Sequence, residues 1–547
     1  MINILRFKIF IVSLQKPKLN NMHKQYRNLT KDEIQKLQSA GSTASNWKDV
    51  LVTTDFSNYT ISNVNFTGKV YLSSDITLVD VSDLGTSGKT SFANGTEVGV
   101  LKEDGGLEVI LYDNLTSMEA AFEVQEANTN PTLVKALQNK AQDYAKQIES
   151  DGSIIEEGAV VKHCLQLTDV HIGPYAHVIG ATRLVDVSIN SLHEASSGVG
   201  ANVIMEHVIV GSDSHVTDAA QLDNCFVGQG CHIGRMYSAT QSLFFANCHF
   251  ENGEACAYFA GPYSVSHHKA TLMIACMTSF FNAGSGSNQS NHSYKMGPNK
   301  YGQLLRGAKL GSSSYVYWPM QIGAFSTVIM HHVGHQDLRE LPFSLITEGR
   351  DGLTHIIPAQ AFRSVGTRRD ALKWPKRDKR TEGKATRRDL LNFSMLNPYT
   401  IASILKAIEV LQKMQNEGAT EYKKCIISPK HIERGIALYN QAVKMYLAQV
   451  LKASDGLTAS SEGTGEWTDF GGMLMPKAEM YAALEAGKTF EDVEPLVAQY
   501  EYNWAAAHFD LSDKVALIAD GEKAEAEWNA ALDEDGERDV AACNIEL

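Results

Sequence analysis

Six of the 18 histidines in this chain fall in one stretch that carries no carboxylate side chain. Between Glu254 and Asp337 there is neither Asp nor Glu, although 63 of the 547 residues are acidic. The stretch keeps Lys269, Lys295, Lys300, Arg306 and Lys309, with His267, His268, His292, His331, His332 and His335. Losing negative charge while keeping positive charge suits an anion. Phosphate, pyrophosphate or carboxylate is repelled by carboxylates and held by Lys, Arg and exposed backbone N–H groups. The five cations are therefore the expected anion-binding set. A charge-poor β core would also deplete acids, but it accounts less well for the bases that remain.

Inside this window lies "NAGSGSNQSNHSYKMGPNK", residues 282–300. Gly284, Gly286 and Gly297 permit backbone geometries that other residues avoid. Asn282, Ser285, Ser287, Asn288, Gln289 and Asn291 offer neutral hydrogen bonds, and His292 and Lys295 add a titratable group and a fixed charge. Such a composition suits a loop that reads a sugar or other polar ligand. A solvated turn draws on the same residues. In "PYSVSHHKATLM", His267 and His268 are neighbours, so on a strand at most one faces a given cleft, and His267 is grouped with the substrate-binding set.

Two other motifs carry less. "GTSGKT" (85–90) resembles a phosphate loop, but its first glycine would have to stand at Asp83, so it reads as a turn. Cys225-x5-Cys231-His232 is not a zinc spacing. Core thiols are the expectation there, and no metal ligand is assigned.

The elements that must position these residues follow from the whole chain. With 44% hydrophobic and 20% charged residues it has the composition of a globular protein. A net charge of -14 argues against nucleic acid or an anionic membrane as partner. Eight scattered cysteines point to reduced thiols and a cytoplasmic location. No run of about 18 apolar residues appears, so no membrane span is expected. Residues 1–21 read as an extension ahead of a natural start at Met22. Thr30 and Glu33 form a capping box for a helix within 22–40. Residues 22–114 then make a helix and β region, and 115–150 a helical insertion broken at Asn130-Pro131. Residues 336–389 form a loop and basic linker, with 11 Lys/Arg against three acids over 363–388. In that segment Lys373-Trp374-Pro375-Lys376 is suited to stacking a ring beside charge. Residues 390–547 show apolar positions at i, i+3, i+4 and i+7, the pattern of an α-helical domain.

Between 151 and 335 the texture is different. Leu310, Val316, Ile322 and Val328 fall six apart, with Ser314 and Ser326 four after the first and third. Ile172, Val178 and Leu184 repeat the spacing, with Ala176 and Thr182 at the same offset. Ile154 to Val160 and Val227 to Ile233 add single steps, while 235–300 is irregular. A six-residue period fits a solenoid in which each hexad is one short strand plus a corner, three hexads closing a coil of about 18 residues. The expected fold is a mainly β solenoid plus an all-α C-terminal domain and a helical insertion.

These repeats resemble the hexapeptide-repeat superfamily, whose fold is the left-handed parallel β-helix. The arrangement is also similar to an uncharacterised bacterial family with a helical C-terminal domain. Enzymes of the superfamily are mostly trimeric acyltransferases that move an acyl group from coenzyme A or acyl carrier protein to a sugar or amine, with a histidine as general base. The resemblance implies a cytoplasmic acyltransferase acting on a sugar or nucleotide sugar. It implies no bound cofactor, acyl-CoA or acyl carrier protein as co-substrate, and a homotrimer. His268 is then the expected base and His292 the second choice, since an imidazole near neutrality takes the proton of an attacking hydroxyl or amine. The alternatives are a non-catalytic carbohydrate- or protein-binding solenoid, or a relative of sugar nucleotidyltransferases. The last needs a nucleotide loop and Mg²⁺ carboxylates that the sequence does not offer.

Overall fold

The computed structural model describes residues 24–292, 295–380 and 385–545, with the backbone alone from 534. The expected extension 1–21 and the start at Met22 lie outside the described residues. The chain forms two compact units. One is Met1–Cys276 with Asp378–Asp389, and the other is Met277–Arg377 with Leu390–Leu547.

The first unit is a parallel β-solenoid, and its coils begin well before residue 151. Thr60–Phe66 pairs in parallel with Thr77–Gly85, which pairs in parallel with Val160–Cys164. The expected separate β region is thus the first part of the solenoid, and the segment between is an insertion. It holds the hairpin of Glu97–Gly99 with Glu108–Ile110 and the helices Ser117–Glu126 and Pro131–Ile148. The capping box at Thr30 and Glu33 is present, but the helix is only Lys31–Ser39. Tyr26–Asn28 ahead of it is a strand antiparallel to Val50–Thr53. "GTSGKT" is a turn held by a carboxylate: Ser87 N–H donates to Asp169 Oδ1 at 3.0 Å and the Thr86 and Ser87 hydroxyls donate to the same side chain. A phosphate there would face that negative charge.

The coil length explains why the hexads fade. Gln166 pairs with Arg183, Ile204 with Gln221 and Gln221 with Ser238, one residue short of three hexads. Each coil carries a seven-residue strand, such as Gln166–Ile172 or Gln221–Val227, kinked at its middle. The kink residues Asp169, Asp186, His207, Asn224 and Gln241 all have φ between 50° and 56°. Among residues other than glycine, Asn and Asp tolerate this left-handed geometry best. Inward positions stack as columns: Val170, Val187, Val208, Cys225 and Ser242 form one, and Ile172, Ile189, Val210, Val227 and Phe244 the next. All are buried. Cys225 is thus a core thiol whose pKa burial pushes up to about 12.

The second unit also contains parallel coils, and here the hexads are complete. Gln303 pairs with Gln321, and Lys309 with Thr327. Ala283, Leu310, Val328 and Ile346 form one inward column. Antiparallel Thr354–Ile357 covers Leu345–Glu348 after the last coil. The helices include Pro398–Glu417, Pro429–Ala453, Val497–His508 and Lys514–Ile545. The region expected to be all α also holds the hairpin of Trp467–Phe470 with Met473–Pro476. Trp374 does not offer a stacking surface: it is buried, with its ring centroid 4.8 Å from Phe280. Arg306 is buried too. Its Nη1 lies 3.4 Å from Asp469 Oδ2, its guanidinium sits over the Phe280 ring, and its Nη2 donates to the Asn392 carbonyl. Asp469 also accepts from Gly472 N–H at 2.6 Å.

Two predictions follow from this packing. Asn224→Ile forces a β-branched residue into the left-handed region and costs about 1–2 kcal/mol, whereas Asn224→Gly is nearly neutral. Urea midpoints of the two variants check the difference. Asp469→Ala leaves a buried guanidinium unpaired and costs about 3–5 kcal/mol, and Arg306→Leu/Asp469→Leu restores part of it. Denaturant titration of the single and double variants measures this.

Candidate metal centre

One outer face of the first unit carries histidine on successive coils. His215–Val216, His232–Gly234, His249–Glu251 and Val265–Ser266 are parallel strands in direct register. His215, His232 and His249 therefore stand one above another. The residue after each is Val216, Ile233 or Phe250, fully buried, so alternation along the strand forces the histidines outward. Two positions further on, the same face shows Thr217, Gly234 and Glu251, and His267 follows Val265–Ser266. The ring centroids of His232 and His249 are 4.8 Å apart, and those of His249 and His267 are 4.2 Å apart.

Glu251 bends back toward these rings. Its Oε1 is 3.1 Å from His249 Nε2 and 3.7 Å from His232 Nε2. All three donor atoms lie within 4.8 Å of one another. Its Oε2 is 2.9 Å from Arg235 Nη1, and only 6% of the residue is exposed. Gly234, opposite Glu251 in the ladder, leaves the space beside the His232 ring open. A Cβ there would lie 2.8 Å from Thr217 Oγ1 and 3.2 Å from His232 Nε2. The segment Asp378–Asp389 lies along the same unit. Asn247 Nδ2 donates to Asp378 Oδ1 and Lys379 N–H donates to Asn247 Oδ1, both at 2.9 Å. The charge of Lys379 is felt by His215, His232 and His267.

The electrostatics favour neutral imidazoles beside an ionised carboxylate. Burial lowers the His249 pKa to about 4, with His267 adding to the effect and Glu251 opposing it. Burial likewise lowers His215, His232 and His267. Burial would raise the Glu251 carboxyl, but the His249 hydrogen bond and the Arg235 charge outweigh it and hold the pKa low. Neutral imidazole and carboxylate are the ligand forms that a divalent metal requires. Zinc bonds of about 2.0–2.2 Å in tetrahedral geometry set ligand atoms roughly 3.4 Å apart, which the 3.1 and 3.7 Å nitrogen–oxygen separations bracket. Arg235 on the second carboxylate oxygen orients the ligand in the manner of an outer-shell partner.

The residues singled out from sequence fall elsewhere or only at the edge of this face. His267 is part of it, and its backbone carbonyl accepts from Asn252 Nδ2. His268 and Lys269 are exposed in the turn beyond, and His268 makes no hydrogen bond or ion pair among the described residues. His292 lies in the other unit, where its Nδ1 accepts from Lys295 N–H at 2.9 Å. The polar loop divides in two. Residues 282–290 do not interrupt the repeat, because Asn282 pairs with Lys309 and Asn288 with Tyr315. Gly284 is needed because a Cβ would lie 2.6 Å from the Gly311 backbone. Ser287, Gln289 and Asn291 are buried, the Ser287 hydroxyl donates to Gly284 O and Asn288 Nδ2 donates to Gly286 O. Only Asn282 and Ser285 of the neutral set are well exposed. Of the cations, Arg306 is buried on Asp469, and Lys309 is paired with Asp370 at 2.7 Å. Both are spent inside the fold. Lys295 is exposed and Lys300 half-buried.

Sequence reading missed His215, His232, His249 and Glu251. Their signal was present: three histidines at equal spacing, each one coil after the last. The spacing has meaning only once the coil length is known. The cysteine pair beside them is core, with Cys231 and Cys248 buried.

No helix among the described residues is long and apolar enough to cross a membrane. A family model described as a domain of unknown function, DUF4954, matches residues 26–81 and 71–415. An uncharacterized protein of Treponema pallidum (strain Nichols) is 21% identical over 450 residues, covering 71% of this chain. The chain spans 61% of that relative's length. Matched over well more than half its length by one model, this β-solenoid chain belongs to the DUF4954 family.

Proposed function

We propose that the protein binds a divalent transition-metal ion, zinc-like in its ligand preference, at His232, His249 and Glu251, and uses it on an anionic substrate. The observation that carries this reading is the convergence of two imidazole nitrogens and one carboxylate oxygen within 4.8 Å on successive coils. Three protein ligands leave a fourth position open, the arrangement of a catalytic rather than a structural zinc site. A metal so placed supplies Lewis-acid polarisation and a water acidic enough to act near neutrality. The chain supplies the rest. His267 sits against His249 as a proton carrier, and the positive charge of Lys379 attracts an anionic group to the face.

Acyl transfer by a hexapeptide-superfamily enzyme is the second reading. It is favoured by one feature, the 3.1 Å His249–Glu251 hydrogen bond, since a carboxylate that orients an imidazole is what a general base needs. Under that reading His249, or the neighbouring His267, replaces His268 as base, acyl-CoA or acyl carrier protein is the donor, and a trimer supplies the cleft.

Two measurements separate them. Protein purified without chelator is expected to contain one equivalent of zinc or a neighbouring metal by elemental analysis, lost in His232→Ala and in Glu251→Gln and kept in His268→Ala. Saturating zinc at about 100 times its dissociation constant should add about 2.7 kcal/mol of stability in a thermal-shift assay. Absence of both metal content and zinc-dependent stabilisation overturns the metal reading. A thermal shift with coenzyme A that His232→Ala leaves intact would favour acyl transfer.

A further inference from the structure

The second unit carries an outer strip of a different kind. Asn288–Ser290, Tyr315–Tyr317 and His331–His332 form a three-stranded parallel sheet, with Asn288, Tyr315 and His331 in register and Ser290 opposite Tyr317. Gln289, Val316 and His332 are buried, and alternation turns Asn288, Ser290, Tyr315 and His331 outward, whereas Tyr317 is only 7% exposed. The Tyr315 and His331 rings are 5.8 Å apart at centroid, and His335 lies over Tyr317 at 4.7 Å and 30°. Met330 and Val333 beside them are 50% and 65% exposed. The strip is thus a ladder of rings edged by amide and hydroxyl groups.

Its charge is one-sided. No carboxylate occurs from 255 to 336. The charges of Lys300 and Lys424 reach His335, while Glu348 acts on the inward-facing His332. Lys300, Lys424 and Lys295 form no ion pair among the described residues. Buried Arg306 and paired Lys309 are spent within the fold, so these lysines are the cations left for a ligand.

We propose that this strip binds an acidic polysaccharide through its uronate residues. The apolar C–H faces of sugar rings stack on Tyr315, His331 and His335. Hydroxyls meet Asn288 and Ser290, and the carboxylates meet Lys300 and Lys424. Tyr315 and His331 stand in register on adjacent strands, and two rings at that spacing suit successive residues of a polymer better than a single sugar. The proposal does not depend on the metal reading.

The test is calorimetric titration of the full chain with a galacturonate oligosaccharide and with a dextran oligosaccharide of equal length. The galacturonate is expected to bind, and to weaken as NaCl rises from about 50 to about 500 mM. Tyr315→Ala and His331→Ala should each weaken it about tenfold, and Lys300→Glu should weaken it further. His331 is exposed, so its variant reads binding even if Tyr315→Ala is poorly folded. No binding at about 1 mM galacturonate overturns the proposal, as does binding that survives both His331→Ala and Lys300→Glu. Equal binding of dextran overturns the assignment of an acidic ligand.

Discussion

Parallel backbone pairing between one coil and the next is the constraint from which the rest of the protein follows. Each coil has to satisfy its backbone groups on the coils before and after it, so its length cannot drift freely. Insertions are tolerated only where the chain leaves the ladder and returns to the same register. The excursion before Val160 does this: Thr77 and Val160 pair as if the hairpin and two helices between them were absent. A fixed register also turns sequence spacing into vertical stacking. Whatever residue type occurs at one coil position is placed beside its counterpart in the next, inside as columns rich in valine and isoleucine, outside as the column of His215, His232 and His249.

Much of this was legible in the sequence, and the failures have one cause. The hexads of Leu310 to Val328 are legible because Gln303 and Gln321, and Lys309 and Thr327, pair at three complete hexads. In the first unit each long strand has a left-handed residue at its centre and the coils depart from eighteen residues: Gln166 and Arg183 are 17 apart, Arg183 and Ile204 are 21 apart, and Ser238 and Glu254 are 16 apart. Asp169, Asp186, His207, Asn224 and Gln241 share no side-chain chemistry that a hydrophobic template detects. A six-residue template therefore loses phase after one coil, and coils between Leu184 and Cys276 look irregular though their pairing is regular. The same error set the start of the solenoid too late and left the strands before residue 86 as a separate region.

The candidate site was less legible for a related reason. Acid depletion singled out residues 255–336, but charge counting cannot tell an exposed cation from a buried one. Arg306 and Lys309 look like ligand contacts in sequence and are ion-paired to Asp469 and Asp370, whose numbers lie far along the chain. Paired histidines at 267 and 268 drew attention because they are adjacent. In a solenoid adjacency in sequence matters less than adjacency between coils. His249 touches His232 and His267, neither of them a near neighbour in sequence, and Glu251 reaches across to both His232 and His249.

A column of histidines also shows what kind of surface such a fold can build. Stacked imidazoles at these distances would repel one another if all were protonated, so the column is stable as neutral rings near pH 7. Burial and the Lys379 charge push His232 that way, and burial with His267 does the same for His249. Against that neutral column Glu251 is the carboxylate that reaches the His232 and His249 rings, ionised because Arg235 and the His249 hydrogen bond hold it so. The carboxylate breaks the sameness of the stack at one level and converts a repetitive surface into a single defined place. Gly234 one coil below is the matching change, because a Cβ there would lie 3.2 Å from His232 Nε2 and crowd the ring that faces the carboxylate. Repetition builds the face, and two departures from it, a glycine and an acid in register, make one position on that face chemically distinct.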